Sequence, residues 1–132
     1  MKNIVLAVIA VFVTWSVVDF VVHGIILAAA YSASPQLWRP RAEMKMGLTY
    51  ITVLIKSVVF VCIYAWCISN KSSKTAILYG LLFGIGSGVS MGYGSYAVMP
   101  MPYSMALTWF LGTVVETVAA GSIMGVILKD QG

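Results

Sequence analysis

Charge is what this chain has least of: eight Lys and Arg, four Asp and Glu, and one His in 132 residues. Charged side chains make up 9% of the sequence. Soluble proteins carry about 25%, so an ordinary water-soluble domain is excluded. The formal charge of +4 is scattered over short connections without a basic run, which excludes a nucleic-acid-binding surface. Cysteine is limited to Cys62 and Cys67, five apart in one apolar run. They form no CxxC pair, and no second pair exists to complete a zinc site. Both read as small apolar helix residues. The ten-residue alternation of a barrel strand is missing as well.

What is present is long unbroken apolar sequence, 61% of residues. In lipid only helices or closed barrels satisfy the backbone, so the composition predicts an all-α integral membrane four-helix bundle forming one transmembrane domain over 1–132. Four spans can be drawn, at about Ile4–Tyr31, Leu48–Ser69, Thr75–Val98 and Tyr103–Leu128. Each meets the ~20 residues that a bilayer core requires. The first and last exceed it and are expected to tilt or to extend into the headgroup region. Met1-Lys2-Asn3 before an apolar stretch mimics a signal peptide. The stretch outruns a 7–15-residue signal core, and an uncleaved first span is the expectation.

The connection from Ser32 to Gly47 is the longest and most polar, with Pro35 and Pro40 opposing a continuous helix. Trp38 beside Arg39 and Arg41 suits the headgroup interface. Asn70 to Lys74 is a short polar turn, and Met99-Pro100-Met101-Pro102 a tight uncharged one. Four spans put both termini on one side. Lys2, Lys71, Lys74 and Lys129 share that side against Arg39, Arg41 and Lys45. This small excess assigns the termini to the cytoplasm.

Two echoes fall at matching points. Tyr31-Ser32-Ala33-Ser34-Pro35 returns as Tyr96-Ala97-Val98-Met99-Pro100, and Met46-Gly47-Leu48-Thr49-Tyr50 as Met105-Ala106-Leu107-Thr108-Trp109. They suggest two repeated helical hairpins in the same orientation, a known transporter design. In that register Lys56 aligns with Val115, one place before Glu116.

Against this apolar background, Asp19, His23, Lys56 and Glu116 sit near span centres, so two of the four acids and the sole imidazole are at membrane depth. A charge there costs roughly 2.5–3.5 kcal/mol unless it finds a partner or water, which makes it a functional-site hypothesis by default. Trp15, Asp19 and His23 share one helix face at i, i+4 and i+8. Thr49, Thr52, Lys56 and Tyr64 make a polar stripe on the second helix, and Trp109, Thr113 and Glu116 one on the fourth. Three stripes at matching depth can converge on one cavity. The third helix offers instead Gly80, Gly84, Gly88 and Gly92 at four-residue spacing, a small-xxx-small packing face; a ligand path along it is the other reading. Lys56 paired with Glu116 or Asp19 leaves one acid over. The pair can be a register-fixing contact, and the leftover acid can titrate or hold a cation.

His23, Asp19 and Glu116 offer donors that suit several divalent metals, although the Glu-x-x-His motifs of di-metal bundles are absent. Haem held by two His would need a dimer with His23 on its axis. No cofactor is expected, with metal and haem left open. Met44, Met46, Met91, Met99, Met101 and Met105 read as adaptable apolar filler; thioethers also select Cu(I). Catalysis finds little support, since no nucleophile motif is present and the carboxylates lie at lipid depth, whereas a paired-carboxylate hydrolase works at a wet site.

Size, four spans and a mid-membrane carboxylate resemble the architecture of the small multidrug resistance transporters, which as dimers exchange protons for cationic compounds. That family keeps its essential Glu in the first helix. Here the first-helix acid is Asp19, Glu116 is in the fourth helix, and Lys56 would repel a cation. His23-Gly24 to Trp38-Arg39-Pro40 and Gly92-Tyr93-Gly94-Ser95-Tyr96 resemble small uncharacterised bacterial inner-membrane proteins of a domain-of-unknown-function type. That resemblance implies a four-helix bacterial inner-membrane protein and no activity. The leading expectation is binding or passage of a small solute or ion, proton-coupled, through a cavity lined by Asp19, His23, Lys56 and Glu116, with Trp15 and Tyr64. The other is a structural subunit of a larger membrane complex. Beyond the lipid bilayer, the expected partners are further copies of the chain or other membrane subunits.

Overall fold

The computed structural model describes residues 1–129 and is all-helical. Four helices are long and apolar enough to cross a membrane: Lys2–Ile26, Met46–Cys67, Ser73–Val98 and Tyr103–Leu128. The first comprises α1 (Lys2–Asp19) and a wide π-helical stretch, Phe20–Ile26. A short α2 (Ala28–Ala33) follows. The other long helices are α3 (Met46–Cys67), α4 (Ser73–Gly88), which continues through a π-helical Val89–Tyr93 into α5 (Gly94–Val98), and α6 (Tyr103–Leu128).

The first span is therefore shorter than its apolar run. A continuous helix to Tyr31 is expected from hydropathy, but the chain breaks at Leu27, where φ is −94° and ψ is 1°. The Leu27 N–H donates to the Val22 carbonyl at 2.9 Å, five residues back rather than four. Such a widened turn shifts the register of everything beyond it. In α4 the same device recurs, with the Gly94 N–H donating to the Val89 carbonyl. Proline and serine set the other boundaries. Pro102 precedes α6 and its carbonyl accepts from the Met105 N–H at 3.0 Å. Ser72 caps α4, its hydroxyl accepting from the Thr75 N–H at 3.1 Å.

α6 is the central element. It packs most closely on α4, then on α1, while α3 packs on α1. The α4–α6 seam is glycine-built. A Cβ added to Gly92 would stand 2.6 Å from the Ala106 carbonyl oxygen, and one on Gly88 3.0 Å from that of Phe110. Gly80 and Gly84 lie equally close to Thr117, on its carbonyl and hydroxyl. No larger residue permits that approach. The two hairpins consequently pack unequally: α4 and α6 are in backbone contact, α1 and α3 in side-chain contact.

A core of Ala7, Val11, Trp15, Phe60, Val61, Tyr64, Ala76, Ala120 and Met124 fills one half, and Val22, Leu27, Met101, Met105 and Ala106 the other. The exterior is apolar, with Phe20, Trp66 and Leu82 each more than 60% exposed. Hydroxyls within the helices bond to their own backbone: Ser16 to Phe12, Ser57 to Val53, Thr117 to Thr113 and Ser122 to Val118. α3 joins this packing only along its C-terminal half. Its residues 46–52 are all exposed, so its first turns stand away from the rest.

Candidate functional site

Halfway along α3 and α6, Lys56 Nζ meets Glu116 Oε1 at 2.7 Å. Both expected stripes turn inward here, because Ser57, Phe60 and Tyr64 bury one side of α3 and Thr113, Thr117 and Ala120 one side of α6. Glu116 is almost fully enclosed, its side chain 7% exposed, while that of Lys56 is 35% exposed. Trp15 of α1 completes the enclosure. Its indole N–H donates to the Glu116 carbonyl at 3.0 Å, and its ring lies 4.3 Å beneath the Lys56 ammonium. A cation over an indole face is attracted by the ring quadrupole. Phe60 in turn fixes Trp15, edge to face, with centroids 5.1 Å apart.

Asp19, one turn beyond Trp15, brings a second carboxyl to the same place, close enough to share a hydrogen bond with Glu116 when one of the two is protonated. The ammonium is paired with Glu116, and Asp19 adds a second carboxyl beside that pair. Asp19 also faces His23, whose Nε2 is 3.9 Å from Asp19 Oδ1. That is an electrostatic neighbour rather than a hydrogen bond. On its other side His23 Nδ1 is 2.5 Å from the Tyr31 hydroxyl. The Trp109 indole, which can only donate, bonds the same hydroxyl at 2.8 Å. With its oxygen accepting from Trp109, Tyr31 is set to donate to Nδ1. His23 then carries its proton on Nε2, facing Asp19. Trp38 closes this aromatic end, 5.2 Å from Tyr31 and 6.0 Å from Trp109 between centroids, its own N–H donating to Ser34 Oγ at 3.2 Å.

Asp19, Lys56, Glu116 and Trp15 are thus brought together, and His23 joins through Asp19. Tyr64 is not among them. It is two turns further along α3, fully buried, and its hydroxyl donates to the Ser72 carbonyl at 3.1 Å near the α3–α4 turn. Thr49 and Thr52 are exposed, their hydroxyls donating to the Lys45 and Thr49 carbonyls. The metal candidates His23, Asp19 and Glu116 do not converge on one point: Asp19 lies between the other two, His23 Nδ1 is taken by Tyr31, and Glu116 is paired with Lys56. No group of three or more His, Cys, Asp and Glu side chains fit to hold a metal occurs among the described residues. Met101 and Met105 are buried core residues beside Val22 and Leu27. The residue that sequence reasoning missed is Tyr31. It lies eight positions after His23, so a straight helix would stack it two turns away, and only the break at Leu27 folds it back.

No protein-family model, no curated protein and no solved structure matches this chain. Function is therefore argued from the chemistry of the site.

Proposed function

We propose that the chain is an integral membrane protein whose four spans bundle around this polar site, and that the site binds one exchangeable proton or other small cation in the course of binding or passing a small solute or ion. The apolar exterior and the hydroxyls satisfied within their own helices support the membrane reading, since lipid solvates apolar surface and offers a hydroxyl no partner. The observation that carries the functional reading is the count of charges: Lys56 is paired with Glu116, and a second carboxyl, Asp19, lies beside Glu116. Lys56 and Glu116 neutralise each other. That leaves one carboxyl more than there are ammonium groups in the cluster, a charge that a proton or small cation can balance. Gain and loss of that ion switches the site between neutral and singly negative. The His23–Tyr31 pair lies between Asp19 and the helix end and supplies groups through which a proton can arrive, with Trp109 holding the Tyr31 hydroxyl in place. The small excess of basic residues supports both termini in the cytoplasm, and the chain's size together with the resemblance of its His23–Pro40 and Gly92–Tyr96 segments supports a bacterial inner membrane.

A second reading rests on exposure. The side chains of Asp19 and His23 are 38% and 37% exposed on the flank of the single chain. Facing lipid they would be costly, so a second copy or another membrane subunit covering this flank is favoured. In that role the charges act as assembly contacts.

Purified protein in sealed vesicles with a trapped pH-sensitive dye separates the two. The ion-binding reading predicts proton entry after an external acid pulse, lost in Asp19→Asn and Glu116→Gln while helix content is kept. Unchanged entry in both variants would leave only the assembly role, which predicts that the isolated chain is unstable without a co-purifying partner.

A further inference from the structure

The chain between α2 and α3, together with the first turns of α3, forms an open crevice of about 530 Å³ that shares only Trp38 with the mid-span site. It is lined by the cations Arg39 and Lys45 together with Trp38, Leu48, Thr49 and Thr52. Among the described residues neither Arg39 nor Lys45 has an ion-pair or hydrogen-bond partner for its side chain. The neighbouring acid is Glu43, against Arg39, Arg41 and Lys45, so the loop keeps an excess of two positive charges. We infer that this crevice is a binding site for an anionic glycerophospholipid of the surrounding leaflet, its phosphate held between Arg39 and Lys45 and an acyl chain lying against α3.

Three observations support that occupant. Phosphate is the anion that a guanidinium and an ammonium at headgroup level would meet, the guanidinium through its planar fork. Trp38 lines the same crevice, and amphipathic aromatics of its kind anchor at headgroup level. Lys45 precedes α3 and Thr52 lies about 10 Å further along it, the direction an acyl chain takes from its phosphate. The wall there is compatible with a chain, because both threonine hydroxyls are satisfied by the helix backbone and Leu48 is 57% exposed. No protein element covers residues 46–52, and in a bilayer such a gap is filled by lipid. The excess positive charge selects an anionic headgroup over a zwitterionic one.

The test is tryptophan quenching in phosphatidylcholine vesicles into which brominated phosphatidylglycerol or brominated phosphatidylcholine is titrated, with Trp38→Phe identifying the Trp38 contribution. Preferential quenching of Trp38 by the phosphatidylglycerol is expected. Replacing both cations (Arg39→Gln with Lys45→Gln) should lower that preference on the order of thirtyfold, about fivefold for each charge. The charge-preserving exchange Arg39→Lys with Lys45→Arg should retain most of it, which separates recognition from damage to the fold. Excess inorganic phosphate should not displace the lipid; displacement would assign the crevice to free phosphate and overturn the lipid assignment. Equal quenching by the two lipids, or an unaltered preference in the doubly neutralised variant, would overturn it as well.

Discussion

Lys56 and Glu116, 60 positions apart in sequence, meet at 2.7 Å in the middle of two apolar helices. The pair is asymmetric: Glu116 is enclosed, whereas Lys56 keeps about a third of its side chain exposed and rests on the Trp15 ring. Removing the cation therefore strands a buried carboxylate, while removing both charges strands nothing. Lys56→Met is expected to destabilise the fold by about 2–3 kcal/mol, below the 3–5 kcal/mol of a fully buried broken pair because Lys56 is partly solvated. Lys56→Met combined with Glu116→Leu should recover most of that loss. Unfolding titrations in detergent measure both, and a single variant as stable as the native chain would refute the pairing.

The glycine seam makes a sharper contrast. Gly86 has open space where a Cβ would go, whereas Gly84 and Gly92 are pressed against α6. Gly86→Ala should be neutral or slightly stabilising. Gly84→Val and Gly92→Val should each cost about 1–3 kcal/mol by overpacking. Equal behaviour of the three in the same titration would mean that α4 and α6 are not in backbone contact.

Tyr31 joins the aromatic end to the charged centre. Tyr31→Phe leaves the Trp109 N–H without its acceptor and His23 Nδ1 without its donor, at an expected cost of about 1–3 kcal/mol. It should also slow proton entry into vesicles without abolishing it, since Asp19 is untouched. Tyr31→Phe indistinguishable from the native chain in both stability and proton entry would remove Tyr31 from the relay.

Much of this arrangement could be read from the residues before any coordinates. Asp19, Lys56 and Glu116 stand out because so few charges occur, and each occupies a helix centre where only a partner makes it tolerable. The glycines at every fourth position of α4 announce a close helix contact. Two features were hidden. The i→i−5 turn before Leu27 carries no composition signal, so the sequence shows His23 beside Asp19, as the structure has it, but not beside Tyr31. Tyr64 follows Lys56 on the same face but is separated from it by two turns, about 12 Å along the axis. A helical stripe records direction around the axis, and distance along it decides which residues share a site.

The central claim is that one carboxyl at the Lys56–Glu116–Asp19 cluster exchanges a proton or cation. Infrared difference spectroscopy of the purified protein across a pH titration observes the carboxyl C=O band directly. The account predicts one membrane-embedded carboxyl that gains and loses its proton, with the band lost in both Asp19→Asn and Glu116→Gln, since either leaves one carboxylate paired with Lys56. A spectrum without such a band, or one unchanged in Asp19→Asn, would contradict it and leave the three charges as structural contacts.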